Sequence, residues 1–172
     1  MNEETKTIIK HIGSLTLGNK VVISDPCYDS DVWCMLKDLP VVPGTYEAHI
    51  EFDTESMRVL SLTVWHKDYL PDEATCADEE WLSETIGVDS GQAGIYDADY
   101  FHSYHDLSRS TEQDLNEWYR AACHCTTEHT NYADTMDDSC VISRSGWGDG
   151  VYSASVNRNN NGDIIAITIS YD

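Results

Sequence analysis

Two glycine-flanked acidic segments hold the side chains best suited to chemistry. The first is Gly87-Val88-Asp89-Ser90-Gly91-Gln92-Ala93-Gly94, followed by Asp97; the second is Ser145-Gly146-Trp147-Gly148-Asp149-Gly150, followed by Tyr152. If both turns meet at one mouth of a sheet, Asp25, Asp89, Asp97 and Asp149 converge there. They would then serve as ligands for a divalent metal or as a general acid and base, with Ser90 beside them and Trp147 and Tyr152 as a stacking wall. The commoner use of such turns is architectural: the glycines permit backbone conformations closed to other residues, and Asp89 and Asp149 accept bonds from the turns' own amides. Neither segment is a phosphate loop, because the P-loop lysine is missing and no GxGxxG opens a helix.

Other reactive groups are weaker signals. Cys123-His124-Cys125, with His129 behind it, is half of a zinc site at best, since it lacks CxxC spacing and a second pair. His102 and His105 would share a helix face able to hold a metal, but an isolated HxxH has no third ligand, and a loop packed on the core is the expected reading. Asp97 and Asp99 could bind a hard cation, yet the glycine and terminal glutamate of an EF-hand are absent. Cys27 has no base near it in sequence, so it reads as an inert thiol. No catalytic triad, HExxH or kinase motif is legible. No cofactor is expected, with a divalent metal as the one open case.

The charge is lopsided. Among 172 residues, 31 acidic and 10 basic side chains leave a net −21, and the segment from Asp68 to Asp138 holds 18 acids against only Arg109 and Arg120. Such a field repels phosphate backbones and anionic membranes, so direct nucleic-acid binding and membrane association are not expected. It either solubilises the fold or attracts something basic. Cytoplasmic residence is the default, in a host cell if the source is a phage: no basic leader precedes an apolar run, no window approaches a membrane span, and the six cysteines then read as thiols.

The elements that must position these groups read as β at both flanks. A single domain over 1–172 is expected, β-rich at 12–66 and 138–171, with an acidic helical and loop insertion at about 68–138. Leu15 and Leu17, Gly18-Asn19, then Val21 and Ile23 suggest a tight hairpin ending at Asp25-Pro26. Tyr46, Ala48, Ile50 and Phe52 alternate with Glu47, His49 and Glu51; Leu60, Leu62 and Val64 continue the pattern, and the two segments should pair. Tyr152, Ala154 and Val156, the turn Asn159-Asn160-Asn161-Gly162, and Ile165 to Tyr171 form a last hairpin. Ser110 with Gln113 suggests a capping box for a helix carrying Leu115, Trp118, Tyr119 and Ala122. Asp78, Trp81, Leu82 and Ile86 suggest a shorter helix, and Val32, Trp33 and Leu36 another turn or two. The fold class is therefore α+β, mainly antiparallel sheet in a sandwich or partly open barrel.

The two glycine-flanked motifs, together with Asp25-Pro26, Pro43-Gly44-Thr45-Tyr46 and Asn160-Asn161-Gly162, resemble an uncharacterised bacterial and phage family known only as a domain of unknown function. The order matches from about Ile12 to Tyr171. The chain departs from that family in Cys27-Tyr28 and in a longer acidic stretch between Asp97 and Ser139. The resemblance brings no catalytic residues with it.

Three functional expectations follow. The first is a non-enzymatic interaction protein, a phage or mobile-element inhibitor whose Asp72, Glu73, Asp78, Glu79, Glu80, Glu84, Asp134, Asp137 and Asp138 occupy the basic, nucleic-acid-binding surface of a host factor. The second is a pocket for a nucleotide signal, walled by Trp147, Tyr152 and Trp65, with Arg144, Arg158 or Lys20 supplying countercharge. The third is a metal-dependent hydrolase centred on Asp89, Asp97 and Asp149.

Overall fold

The computed structural model describes residues 6–69 and 79–172. Its strands are β1 (Thr7–Leu17), β2 (Lys20–Ser24), β3 (Leu36–Pro40), β4 (Gly44–Asp53), β5 (Arg58–His66), β6 (Glu80–Val88), β7 (Gln92–Asp97), β8 (Ala133–Met136), β9 (Cys140–Arg144), β10 (Gly150–Arg158) and β11 (Ile164–Ser170). Helices α1 (Ala98–His105) and α2 (Glu112–Cys125) lie between β7 and β8. Two antiparallel sheets result, one ordered β1-β4-β5-β11-β10-β6 and the other β3-β2-β7-β9-β8. The α+β expectation holds, as do the β4–β5 and β10–β11 hairpins.

Alternation decides which face is buried. In β4 the residues Tyr46, Ala48, Ile50 and Phe52 point into the core shared by the two sheets, and Glu47, His49 and Glu51 point out. The inner strands of the second sheet, β2, β7 and β9, are buried on both faces, so almost every residue along them is enclosed. Val21 and Ile23 join the inter-sheet core, while Val22, Tyr96, Cys140 and Ile142 meet Phe101, Trp118 and Ala122 of the helices. The layers are therefore helices, five-stranded sheet, six-stranded sheet.

Four local expectations are corrected. Gly18-Asn19 is not a hairpin turn: it carries the chain from one sheet to the other, since β1 pairs with β4 and β2 with β3 and β7. The Gly18 amide donates to Asp97 Oδ1 at 2.8 Å, and a Cβ at position 18 would sit 2.8 Å from the same oxygen. The run Val21-Val22-Ile23 needs burial on both faces, which the inner sheet supplies and a solvated hairpin would not.

Trp81, Leu82 and Ile86 lie on β6, not on a helix, and Asp78 lies outside the described residues. A register shift opposite Ser153 and Ser155, whose partners are Thr85 and Trp81, breaks the two-residue period and imitates helical spacing. Strands β6, β7 and β8 belong to the two sheets, so the described residues 79–138 of the acidic stretch supply strands to the sandwich as well as both helices.

Val32, Trp33 and Leu36 share no helix face: Trp33 is 92% exposed, whereas Leu36 begins β3 and enters the core. The capping box starts one residue later than expected, with Thr111 Oγ1 accepting from the Asp114 amide and Asp114 Oδ2 from the Thr111 amide. Ser110 instead donates to the Tyr104 carbonyl. No helix among the described residues is long and apolar enough to cross a membrane.

Candidate functional site

Asp25 directly follows β2 and is fully buried. Its Oδ1 accepts from the Cys27 amide at 2.8 Å and from Ser90 Oγ at 2.6 Å; its Oδ2 accepts from the Asp89 and Ser90 amides at 2.8 and 2.7 Å. One carboxylate thus ties the end of β2 to the turn between β6 and β7. The two glycine-flanked segments then meet directly, because the Ser145 amide donates to the Gly91 carbonyl at 3.0 Å. The second turn closes on itself: Ser145 Oγ donates to the Gly148 carbonyl, and the Tyr152 hydroxyl is shared between the carbonyls of Ser145 and Gly148 at 3.0 and 2.7 Å.

Gly146 lies where this turn presses on the core. Its φ is +48°, and an added Cβ would stand 2.9 Å from both the Val59 carbonyl oxygen and Tyr171 Cβ. Gly146→Ala therefore combines left-handed strain with backbone collision, and its expected cost is about 1–3 kcal/mol in urea denaturation. Gly148→Ala, whose Cβ would meet nothing within 4 Å, should cost less. Equal stability of the two variants would contradict the packing described.

Outside the knot lies a cleft of about 660 Å³ between the Tyr28–Cys34 loop, the end of β6 and the start of β10. Asp89 and Asp149 both line it, with Trp33, Tyr28, Val32 and Val151 among the other walls. The loop is anchored to the β6 edge by the Gly87 amide donating to the Cys34 carbonyl at 2.9 Å, and by the Tyr28 hydroxyl donating to Asp89 Oδ2 at 2.6 Å. Desolvation and the bond to Asp89 push the Tyr28 phenol up, so it stays a donor. Cys27 shifts the same way, through partial burial of its thiol and then the carboxylate of Asp25. A nucleophilic thiol needs the opposite shift.

The structure brings Asp25, Asp89, Ser90 and Asp149 into one neighbourhood and separates the rest of the expected set. Asp97 closes β7, whose six residues put about 20 Å of extended chain between it and the turn. There it accepts from the Gly18 and Tyr100 amides and caps α1. The trio Asp89, Asp97 and Asp149 therefore does not form one centre, and among the described residues no three His, Cys, Asp or Glu side chains gather as metal ligands. Tyr152 is largely buried, and Trp147 is stacked under the Arg58 guanidinium, 3.5 Å from the ring centroid, so neither forms the expected wall. Trp65 donates to the Tyr69 carbonyl from the outer face of the six-stranded sheet.

The cations proposed for a phosphate ligand are elsewhere too. Arg144 bonds the Thr126 carbonyl, Arg158 pairs with Glu80 at 2.8 Å, and Lys20 lines a different cavity. The histidines and cysteines diverge likewise. His105 is buried between the Phe101 and Pro26 carbonyls, Cys123 accepts from Gln92, and Cys125, the last residue of α2, packs into the core between the helices and the five-stranded sheet.

The acidic residues expected to form one partner surface are split. Asp72, Glu73 and Asp78 lie outside the described residues. Glu80 and Glu84 lie on β6 at one edge of the six-stranded sheet, with Glu79 just before the strand accepting from Ser155. Asp134, Asp137 and Asp138 lie on β8 and its turn, beside β1 at the other edge: the Thr16 amide donates to the Asp138 carbonyl. Six strands at ~4.8 Å spacing put roughly 24 Å between those edges. Asp137 and Asp138 have φ of 54° and 55°, a two-residue turn that Asp tolerates, and they accept from Tyr100 and Thr16 hydroxyls. Their residue type thus has a local backbone cause.

Sequence reasoning missed Trp33 as an exposed ring and the loop around it. The one available signal was a tryptophan in a segment with no consistent apolar face. Comparison with known proteins adds one match: a family model described as a protein of unknown function (DUF4241) covers residues 19–169, a span that includes the knot, both turns and the cleft. No curated protein and no solved structure matches the chain.

Proposed function

Because the chain belongs to the DUF4241 family of proteins of unknown function, we propose its role from the cleft itself: it is a binding protein that takes a cationic side chain of a basic protein partner. One observation carries the reading. Trp33, 92% exposed, stands over a cleft that holds the carboxylates of Asp89 and Asp149 and is lined by no Lys, Arg or His. A tryptophan face left in water is a poor use of a large apolar ring, but beside two carboxylates it suits a guanidinium or ammonium. The long-range field from a net charge of −21 would speed the approach of such a partner. In its sharpest form the role is inhibition of a basic host factor whose nucleic-acid surface the chain covers. Support for it rests on the cleft rather than on a continuous acidic stripe.

The probe is an oligo-arginine peptide titrated against the protein by calorimetry. Trp33→Ala and Asp149→Asn should each weaken binding by about 3–30-fold, the range of a cation–π or carboxylate contact. Asp163→Asn removes the same charge from an exposed turn remote from the cleft and should leave affinity nearly unchanged. Affinity should also fall steeply between low and moderate ionic strength. Equal affinities for all three variants, or binding indifferent to salt, would sink the proposal.

A further inference from the structure

The loop that walls the cleft also contributes to a second constellation on its other side. Ser30 Oγ lies 3.0 Å from His102 Nδ1, and His102 Nε2 lies 3.0 Å from Asp38 Oδ1. The three residues come from the loop after β2, from α1 and from β3, and the sequence separations hide the arrangement entirely. We propose that Ser30 is a nucleophile, His102 its general base and Asp38 the positioning carboxylate of an ester-hydrolysing site.

The argument begins with protons. A neutral imidazole has one N–H, and a carboxylate only accepts. The bond to Asp38 therefore places the N–H on Nε2 and leaves the lone pair on Nδ1, facing the Ser30 hydroxyl. That is the tautomer a serine nucleophile requires, and the carboxylate selects it. A second observation concerns how Asp38 reaches the ring. It has a φ of +52°, rare for a residue other than glycine, and it sits where the β2–β3 register shifts between Val21 and Ile23. A bulge re-aims one side chain out of a strand, and strain of this kind persists where the surroundings over-determine it. Here the side chain is turned onto α1.

In the reaction, Ser30 Oγ would bond to the acyl carbon of an ester while its proton passes to His102 Nδ1. The imidazolium returns that proton to the departing alkoxide as the ester C–O bond breaks. Water then attacks the acyl carbon and gives a proton to Nδ1, and the imidazolium returns that proton to Ser30 Oγ as the acyl–oxygen bond breaks and the acid leaves. A cavity of about 430 Å³ opens on the His102 and Asp38 side of the constellation, with Lys20, Asp97 and Asp99 among its other walls; Ser30 is not one of them. The carboxylates nearby favour a small neutral or cationic ester over an anionic one. The charged groups around His102 are Asp38 on β3, Lys20 on β2, Asp97 and Asp99 at the start of α1, and His105 and Asp106 at its end. The inference does not rest on the cationic-partner reading of the cleft.

The test uses the whole chain with a fluorophosphonate probe, read by intact mass and peptide mapping, and with p-nitrophenyl acetate hydrolysis. The expected result is one adduct on Ser30, absent in Ser30→Ala. Asp38→Asn suits the left-handed backbone, but its amide can donate to Nε2 and so favours the wrong tautomer. It should slow labelling about 100-fold or more with unchanged melting and a displaced pH profile. His102→Gln should slow labelling similarly. No adduct on Ser30 of the folded wild-type chain, or an adduct formed at a rate indifferent to His102→Gln and Asp38→Asn, would overturn the assignment and leave the three residues as a structural tie.

Discussion

Asp25→Ala is expected to remove about 3–5 kcal/mol of stability, a large share of the ~5–15 kcal/mol that holds a typical domain. The carboxylate is fully buried and accepts four hydrogen bonds, three of them from backbone amides. Charge-assisted bonds of this kind contribute about 1.5–3 kcal/mol each, and deletion strands three amides that the fold has taken out of water. Asp25→Asn should fall between, since its amide retains one acceptor oxygen and turns a donor toward donors. Asp89→Asn is the internal comparison: that carboxylate faces the cleft and accepts one phenol hydrogen bond, so its loss should cost under about 1 kcal/mol. Urea denaturation of the three variants measures the series. A stability within 1 kcal/mol of wild type for Asp25→Ala would mean that the two turns dock without the buried carboxylate. Oligo-arginine binding should be lost with Asp25→Ala as well, because the turn that presents Asp89 hangs from that residue.

Trp118→Ala should be nearly as damaging, at about 3–5 kcal/mol, the range for deleting a large aromatic from a packed core. Trp118 is 4% exposed on α2 and links both helices to the five-stranded sheet. Its ring packs within 4.5 Å of the His105 centroid and 5.7 Å of Tyr104, and its indole N–H donates to the Tyr100 hydroxyl at 2.8 Å. For a chain of this length each kcal/mol lowers the melting temperature by roughly 2–4 °C, so a drop of order 10 °C is expected. Trp33→Ala supplies the contrast. It removes the same side chain from a position in water and should leave melting within about 0.5 kcal/mol of wild type, while weakening cation binding. A Trp118→Ala protein that melts like wild type would show that the helical layer adds nothing to global stability.

These contrasts mark where the sequence was legible. Strict alternation made β4, β5, β10 and β11 readable, because a strand with one wet face must follow the two-residue period. The α2 helix was readable for the corresponding reason at 3.6 residues. β6 was not, since its bulge adds residues to one side of the ladder and scrambles the period. β2 was misassigned to a hairpin because a run buried on both faces carries no directional signal about its partner.

The candidate site divides along the same line. The residues alone pointed to Asp25, Asp89, Ser90, Asp97 and Asp149 as one neighbourhood walled by Trp147 and Tyr152; the structure brings together these residues without Asp97 and without that wall, and chiefly for an architectural reason: a buried carboxylate satisfies amides in turns that glycine makes possible. Residue type also established the acidic field, whose sum does not depend on folding. What the composition could not state is where the charges stand. Tertiary structure sent β6 and β8 to opposite edges, carried Asp97 to the far end of β7, and set Ser30, His102 and Asp38 side by side. Local pattern fixes which face of an element is dry, because that depends on neighbours two to four residues away. Pairing order and edge position depend on contacts distant in the chain, and no local period encodes them.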